Sequence, residues 1–341
     1  MISSIETTMQ ARGIMLAKGL VARVMRAWLV RDIAVLVGAP GTGKTTFARE
    51  FAEACRSCIP DLRDKAEVLV DPDFDAARLL GYLDLAGDYQ ATGFARQVVL
   101  TWRPQLPQIV LLEEWNTAQV EAYLGQILHA VESEGAVTLP DGSQPRIPLD
   151  TLFLATCNSV RDEPDTRLPV SRPTKRRATV IEMPNILYDA WKEDGRSALV
   201  SAADEYLEYS RQVIADREEE APTFDQLRAS LLGQLTSVED LPEIVLETLL
   251  DIVEFLFESQ EGQQFMTIGL LVDILEELAY AGDDAAEALG WCVCGKLLQQ
   301  VTRFSVAKGL ADKAGSLPNA EEIERAVAAM DLRDGTVSQL L

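Results

Sequence analysis

Three groups of residues in this sequence have types and spacing that suit chemistry. They are a glycine-rich turn ending in lysine and threonine, a pair of acids closing an apolar run, and a basic cluster in an otherwise acidic chain. The turn is Gly38-Ala-Pro-Gly-Thr-Gly-Lys-Thr45, preceded by the apolar run Ile33-Ala-Val-Leu-Val37 and followed by a segment of helical spacing. A short apolar run with no polar break reads as a buried parallel strand. Gly38, Gly41 and Gly43 allow backbone turns closed to residues with a Cβ, so that successive N–H groups face inward at phosphate oxygens. Lys44 adds a cation for β- and γ-phosphates, and the Thr45 hydroxyl is placed to hold Mg²⁺. Nucleotide binding is assigned to Gly38, Pro40, Gly41, Thr42, Gly43, Lys44, Thr45 and Thr46.

The acids are Glu113-Glu114, which end the run Gln108-Ile-Val-Leu-Leu112. Carboxylates at the tip of a buried strand are costly unless they have a task, and beside a phosphate loop two tasks exist. Glu113 is assigned to Mg²⁺ and Glu114 to the water that attacks the γ-phosphate. Asn158 closes a further apolar run, Thr151-Leu-Phe-Leu-Ala155, and its carboxamide suits a sensor that hydrogen-bonds both γ-phosphate and water. The basic cluster is Ser171-Arg-Pro-Thr-Lys-Arg-Arg177, just before the apolar run Thr179-Val-Ile181. Such a cluster can stabilise charge developing on a transferring phosphoryl group, including from a neighbouring subunit.

The elements that must position these groups follow from periodicity. The helix after the phosphate loop carries Phe47, Ala48, Phe51, Ala52 and Cys55 on one stripe and Arg49, Glu50, Glu53 and Arg56 on the other. A helix is expected across residues 9–31, and Ala66-Glu-Val-Leu-Val70 reads as a second strand. Gly87-Asp-Tyr-Gln-Ala-Thr-Gly-Phe94 suits an exposed insertion or an ordinary surface connection equally. After the paired acids, Val120, Tyr123, Leu124, Ile127, Leu128 and Val131 share a helix face, with the only histidine, His129, at its flank. Residues 136–147 read as a hairpin about an Asp-Gly turn. From Pro184 onward helical spacing dominates, through 199–212, 246–257, 270–280 and 291–301. Asp216 to Pro222 reads as an exposed linker, and a last helix is expected at Ala320 to Met330 with a loose tail.

Composition narrows the function classes. The chain has 341 residues, 48% of them hydrophobic, and 54 acids against 31 bases give a net charge of −23. Such a surface repels phosphate backbones, so direct nucleic-acid binding by a broad face is disfavoured. No apolar run is long enough to span a bilayer, and the start Met1-Ile-Ser-Ser-Ile-Glu lacks a basic region followed by an apolar core, so a cytoplasmic protein without membrane insertion is expected. Five cysteines do not make a secreted disulfide framework, and a single histidine argues against histidine triads and multi-histidine metal sites.

With phosphate loop, paired acids, asparagine and arginines in this order, the chain resembles the AAA+ ATPases. It is similar to the branch that holds the MoxR-type chaperone ATPases, the McrB-type restriction GTPases and the dynein-related modules. The likeness rests on Asp75-Ala-Ala-Arg-Leu-Leu-Gly81, Leu111-Leu-Glu-Glu-Trp-Asn116, Thr138-Leu-Pro-Asp-Gly142 and Phe153-Leu-Ala-Thr-Cys-Asn158. The resemblance implies an α/β P-loop core with a parallel sheet of order 5-1-4-3-2 followed by an all-helical lid. The core with its N-terminal helix takes residues 1–184, and the lid with a C-terminal extension takes residues 185–341. It also implies ATP and Mg²⁺ as cofactors and a homo-oligomeric ring, commonly a hexamer, acting on a protein partner. Arg177 falls where the family carries its arginine finger, with Arg176 and Arg172 as second choices. Three positions depart from the pattern. Glu113 stands in place of aspartate, Ala178 in place of the aromatic after the finger, and Gly269 where a second-sensor arginine is expected. A nucleotide-driven motor acting on a protein partner is the leading expectation. A GTP- or ATP-driven subunit of a McrB-like restriction or defence system and a low-turnover nucleotide-gated scaffold are the alternatives.

Overall fold

The computed structural model describes residues 1–100, 106–133, 136–148, 150–158, 167–217, 235, 237–333 and 336–338. These divide into two compact units. The first takes Met1–Ala11, Leu16–Ala39 and Gly43–Met183, and the second takes Arg12–Met15, Pro40–Thr42 and Pro184–Leu341.

The first unit is built on a parallel sheet of five strands. These are β1 (Ile33–Val37), β2 (Ala66–Leu69), β5 (Gln108–Glu113), β6 (Thr151–Cys157) and β7 (Ala178–Glu182). A separate antiparallel pair, β3 (Gly81–Leu83) and β4 (Tyr89–Ala91), lies between β2 and β5 in the chain. The sheet order is β2-β5-β6-β1-β7, which is the expected 5-1-4-3-2 order read from the other edge. Burial explains the sequence pattern. All seven residues of central β6 are buried, whereas edge strand β2 alternates buried and exposed. A central parallel strand is covered on both faces, so it must be apolar throughout, and an edge strand is free of that demand.

Helices α1 (Ile2–Ala11), α2 (Leu20–Leu29), α3 (Lys44–Cys58), α4 (Ala76–Leu80), α5 (Val120–Ser133) and α6 (Arg172–Arg176) complete this unit. The single helix expected over residues 9–31 is instead two, because Gly13 and Gly19 take left-handed φ of 79° and 73° and break the spiral. The apolar stripes of α3 and α5 are buried as expected. Glu50, expected on the solvated side of α3, is 8% exposed, because it lies one turn from both Phe47 and Ala54 on the flank of the buried stripe. Residues 87–94, open to either reading, hold the second strand of a hairpin: β3 pairs with β4, Leu85 in the turn is fully exposed and Phe94 is buried. The hairpin expected at 136–147 is reduced to one antiparallel bridge, Ala136 to Arg146.

In the second unit the long helix α7 (Ile186–Arg217) bends at Asp194 and Gly195. Helices α8 (Glu243–Glu258), α9 (Gly262–Phe265), α10 (Ile268–Ala281), α11 (Ala285–Cys292), α12 (Phe304–Lys313) and α13 (Ala320–Ala329) follow. Leu249, Ile252, Leu256, Leu271, Leu275 and Leu289 are among the residues of its core. Arg196, just past the bend, donates Nε to Glu254 and Nη1 to Glu247 at 2.8 Å each and pairs with Asp251. Those three acids recur at helical spacing on one face of α8, so a single guanidinium fastens α7 to α8. The tail after α13 differs from the expected loose end. Its backbone forms a short antiparallel pair, Asp331–Arg333 with Thr336–Ser338. The expected linker at 216–222 lies mostly outside the described residues. No described helix is long and apolar enough to cross a membrane.

Gly269 has a packing role in this second unit. Its N–H donates to the carbonyl of Gly41 at 3.1 Å, and Thr267 Oγ1 donates to that of Pro40 at 3.3 Å. A Cβ on Gly269 would sit 2.9 Å from the Gly41 oxygen, so any larger residue here must displace backbone.

Candidate functional site

The candidate site lies at the carboxyl ends of adjacent parallel strands, where ligands bind in open α/β sheets. Strand β1 ends at Val37, which is level with Cys157 of β6, so the phosphate loop and Asn158 leave neighbouring strand ends. Strand β5 pairs with the other side of β6 and ends at Glu113. The sheet therefore brings the loop, the paired acids and the asparagine to one edge.

In the loop, Gly41 and Gly43 have φ of 77° and 80°, a conformation that disfavours every residue with a Cβ. Gly43 is also the residue from which α3 starts, so the first-turn N–H groups of that helix open toward the loop. The Lys44 amine is buried, with Nζ donating to the carbonyls of Gly38 and Ala39 at 2.8 Å each. It thus stands inside the turn whose backbone would face the phosphates. Left-handed glycines, a buried ammonium, the Thr45 hydroxyl and the Glu113 carboxylate are the kinds of group that would hold a magnesium nucleoside triphosphate.

The two acids point to different partners. Glu113 is paired with Arg49 Nη2 of α3 at 2.8 Å. Glu114 has φ of 57°, left-handed for a residue with a long side chain, and its backbone is pinned on both sides. Its N–H donates to Thr156 Oγ1 at 3.3 Å, and its carbonyl accepts from the Thr117 N–H at 2.9 Å. Its carboxylate Oε2 lies 2.5 Å from Arg167 Nη1. Residues that pin an unusual backbone beside reactive groups are a common mark of a working site.

Below the acids is a buried polar layer. Asn116 and Asn158 are 3% and 8% exposed, and Asn116 Nδ2 donates to the Asn158 carbonyl at 3.4 Å. Trp115 donates its backbone N–H to Thr156 at 3.1 Å and accepts from the Tyr123 hydroxyl at 2.7 Å. The Tyr123 ring meets Phe74 edge to face at 5.3 Å between centroids. Burial pushes the Cys157 thiol up to about 11, so next to this layer it remains a neutral thiol at physiological pH. Tyr123→Phe is expected to leave the Trp115 carbonyl buried without its donor and to lower stability by about 1–3 kcal/mol, read as a urea-midpoint shift. An unchanged midpoint would remove the hydroxyl from the support of this layer.

The arginines stand elsewhere. Arg172 and Arg176 are exposed on α6, and Arg177 follows as its C-cap. The Arg177 carbonyl accepts from the N–H of Ile33, the first residue of β1. Arg177 therefore lies at the amino edge of the sheet, one strand length or roughly 13 Å from the end that carries the phosphate loop.

Sequence reasoning missed Arg49, Asn116, Tyr123, Thr156 and Arg167. Asn116 belongs to the Glu-Glu-Trp-Asn run, so it had a local signal. The others had none, because their partners are close only after the sheet forms. The segment 159–163 that follows Asn158 lies outside the described residues.

No curated protein matches the sequence. Among solved structures, NtrX from Brucella abortus is similar at 12% identity and a TM-score of 0.45, over 80% of this chain and 53% of that one. The chain thus spans about half the length of that protein. Residues 33–178 match the AAA domain of the dynein-related subfamily, a stretch that runs from the first residue of β1 to the first of β7 and holds every group of the candidate site. Over residues 33–178 the α/β sheet with its phosphate loop is therefore similar to an AAA domain of the dynein-related subfamily.

Proposed function

We propose that the chain is an oligomeric AAA+ ATPase that couples Mg²⁺-dependent ATP hydrolysis to remodelling of a protein partner, as a MoxR-type motor does. The observation that carries this reading is a separation. The phosphate loop, Glu113, Glu114 and Asn158 share the carboxyl edge of the sheet, whereas Arg177 lies at the amino edge. An arginine that far from its own phosphate loop can serve only the nucleotide of another subunit, which makes a ring the natural setting.

In this reading the loop amides and Lys44 bind the phosphates. Thr45 and Glu113 would hold Mg²⁺, which would supply positive charge to the phosphate oxygens. Asn158 orients the attacking water and Glu114 takes its proton as the water oxygen bonds to the γ-phosphorus. The bond from that phosphorus to the bridging oxygen breaks, and ADP and phosphate leave. Arg177 of a neighbouring subunit, with Arg176 and Arg172 beside it, offsets the charge of the transferring group. The net charge of −23 favours a protein partner over nucleic acid.

One observation favours a second reading, a nucleotide-gated scaffold of low turnover. Glu113, one methylene longer than the aspartate of the family pattern, is engaged by Arg49 at 2.8 Å, so metal and arginine compete for one carboxylate. The deciding experiment is the mass of the purified protein in solution with Mg²⁺ and ATP, GTP or neither, together with phosphate release from the same samples. A nucleotide-dependent ring that releases phosphate supports the motor, and the more active nucleotide names its fuel. A nucleotide-bound particle without release supports the scaffold, and a monomer in every condition overturns both.

Lys44→Ala removes the buried ammonium. A hydrogen bond to a charged group contributes about 1.5–3 kcal/mol, so nucleotide affinity is expected to fall roughly 10- to 150-fold. Equilibrium binding of a fluorescent nucleotide checks it, and unchanged affinity would contradict the assignment of the loop.

A further inference from the structure

Arg167 lies four residues before Ser171, the N-cap of α6, and its side chain is 12% exposed. Its Nη1 reaches both Glu114 Oε2 and Thr117 Oγ1 at 2.5 Å. The segment that carries it is fastened along its length to the chain that follows Glu114. The Leu168 N–H donates to the Asn116 carbonyl at 2.8 Å. Further on, the Ser171 N–H and the Thr174 hydroxyl both donate to Glu121 Oε1, at 2.9 and 2.7 Å. Burial would raise the Glu121 carboxyl, but these bonds outweigh it and hold the group below its usual range, as suits a charged anchor.

Resting on the reading of Glu114 as the base, we propose that Arg167 is a positioning residue that restrains Glu114 within the same subunit. The reason is the change of charge during the reaction. The attraction between guanidinium and carboxylate is full while Glu114 is ionised and fades as Glu114 accepts the proton of the attacking water. An interaction stronger in the ground state than in the transition state slows the chemical step. Arg167 and the water also compete for the same carboxylate. The restraint sits on the backbone segment that leads into α6 with Arg172 and Arg176, and the Ser171 and Thr174 bonds tie that helix to the strip after Glu114. A displacement of α6 therefore draws Arg167 away from the base, which links the arginines offered to a neighbour with the readiness of the chain's own site.

The test is steady-state phosphate release by wild type, Arg167→Ala, Arg167→Lys, Glu114→Gln and the Arg167→Ala, Glu114→Gln double variant, with nucleotide affinity measured separately. Arg167→Ala is expected to raise kcat roughly 3- to 10-fold with KM unchanged, the modest range suited to a charged pair whose carboxylate is one-third exposed. Arg167→Lys keeps the charge but loses the planar fork that serves Glu114 and Thr117 together, so its kcat falls between the two. It also serves if the alanine variant does not fold. The double variant is expected to match Glu114→Gln alone, because nothing is left to restrain. A kcat that falls or stays level in both Arg167 variants overturns the proposal. Full hydrolysis by Glu114→Gln instead overturns the reading of Glu114 beneath it, and a complete absence of release from every variant overturns both.

Discussion

Glutamine in place of Glu114 is expected to lower phosphate release by roughly 10²- to 10⁴-fold, the usual contribution of a general base. The substitution is close in shape, and the bonds that hold this position are to its backbone: N–H to Thr156 and carbonyl from Thr117. The left-handed turn at φ 57° is therefore kept, while the proton acceptor and the negative charge that faces Arg167 are lost. Nucleotide affinity is expected to stay within a few-fold of wild type, because Lys44 and the loop amides are untouched. The variant should then accumulate as a nucleotide-loaded assembly, visible by its mass. Single-turnover phosphate release and equilibrium binding separate the two quantities. Undiminished hydrolysis would transfer the role of base to another group.

Loss of the Arg177 side chain is expected to reduce turnover on the order of 10³-fold with nucleotide binding retained. Position explains both halves of that expectation. Arg177 begins at the amino edge of the sheet, its carbonyl bonded to Ile33, and so cannot touch the phosphate loop at the far end of β1. Mixing Arg177→Ala with Glu114→Gln gives a sharper readout. In a ring with head-to-tail interfaces, roughly a quarter of the contacts pair an intact Glu114 with an intact Arg177 from the neighbour. Activity should then return to a level neither variant reaches alone. Mixtures that stay silent while still assembling would assign the finger to Arg176 or Arg172, each of which can be tested in the same pairing, or reduce the cluster to a solvated basic loop.

Most of the scaffold was legible along the chain because burial on both faces leaves a local trace. Residues 33–37, 109–112 and 152–155 are apolar without a break, as central parallel strands must be, and all three lie in the middle of the sheet. The stripes of α3 and α5 were equally plain, since a helix with one covered face repeats at 3.6 residues. The break between α1 and α2 escaped that reasoning. Apolar spacing continues across Gly13 and Gly19, and it was their left-handed backbone that ended one helix and delayed the next.

The chemistry on offer is written along the chain: a glycine turn with lysine and threonine, two acids at a strand tip, an asparagine at the next, and arginines just before the fifth strand of the sheet. Their order along the chain, together with the apolar runs that carry them, also determined the sheet edge on which the first three meet. What each charged group touches follows from folding. Glu113 faces Arg49 and Glu114 faces Arg167, and Tyr123 reaches back to support the backbone beside them. Periodicity records which side of an element is dry, a property of neighbours three or four residues away. An ion pair records where two distant segments come to rest, and Thr117 and Arg167, fifty residues apart in sequence, are neighbours only because β5 and β6 lie side by side.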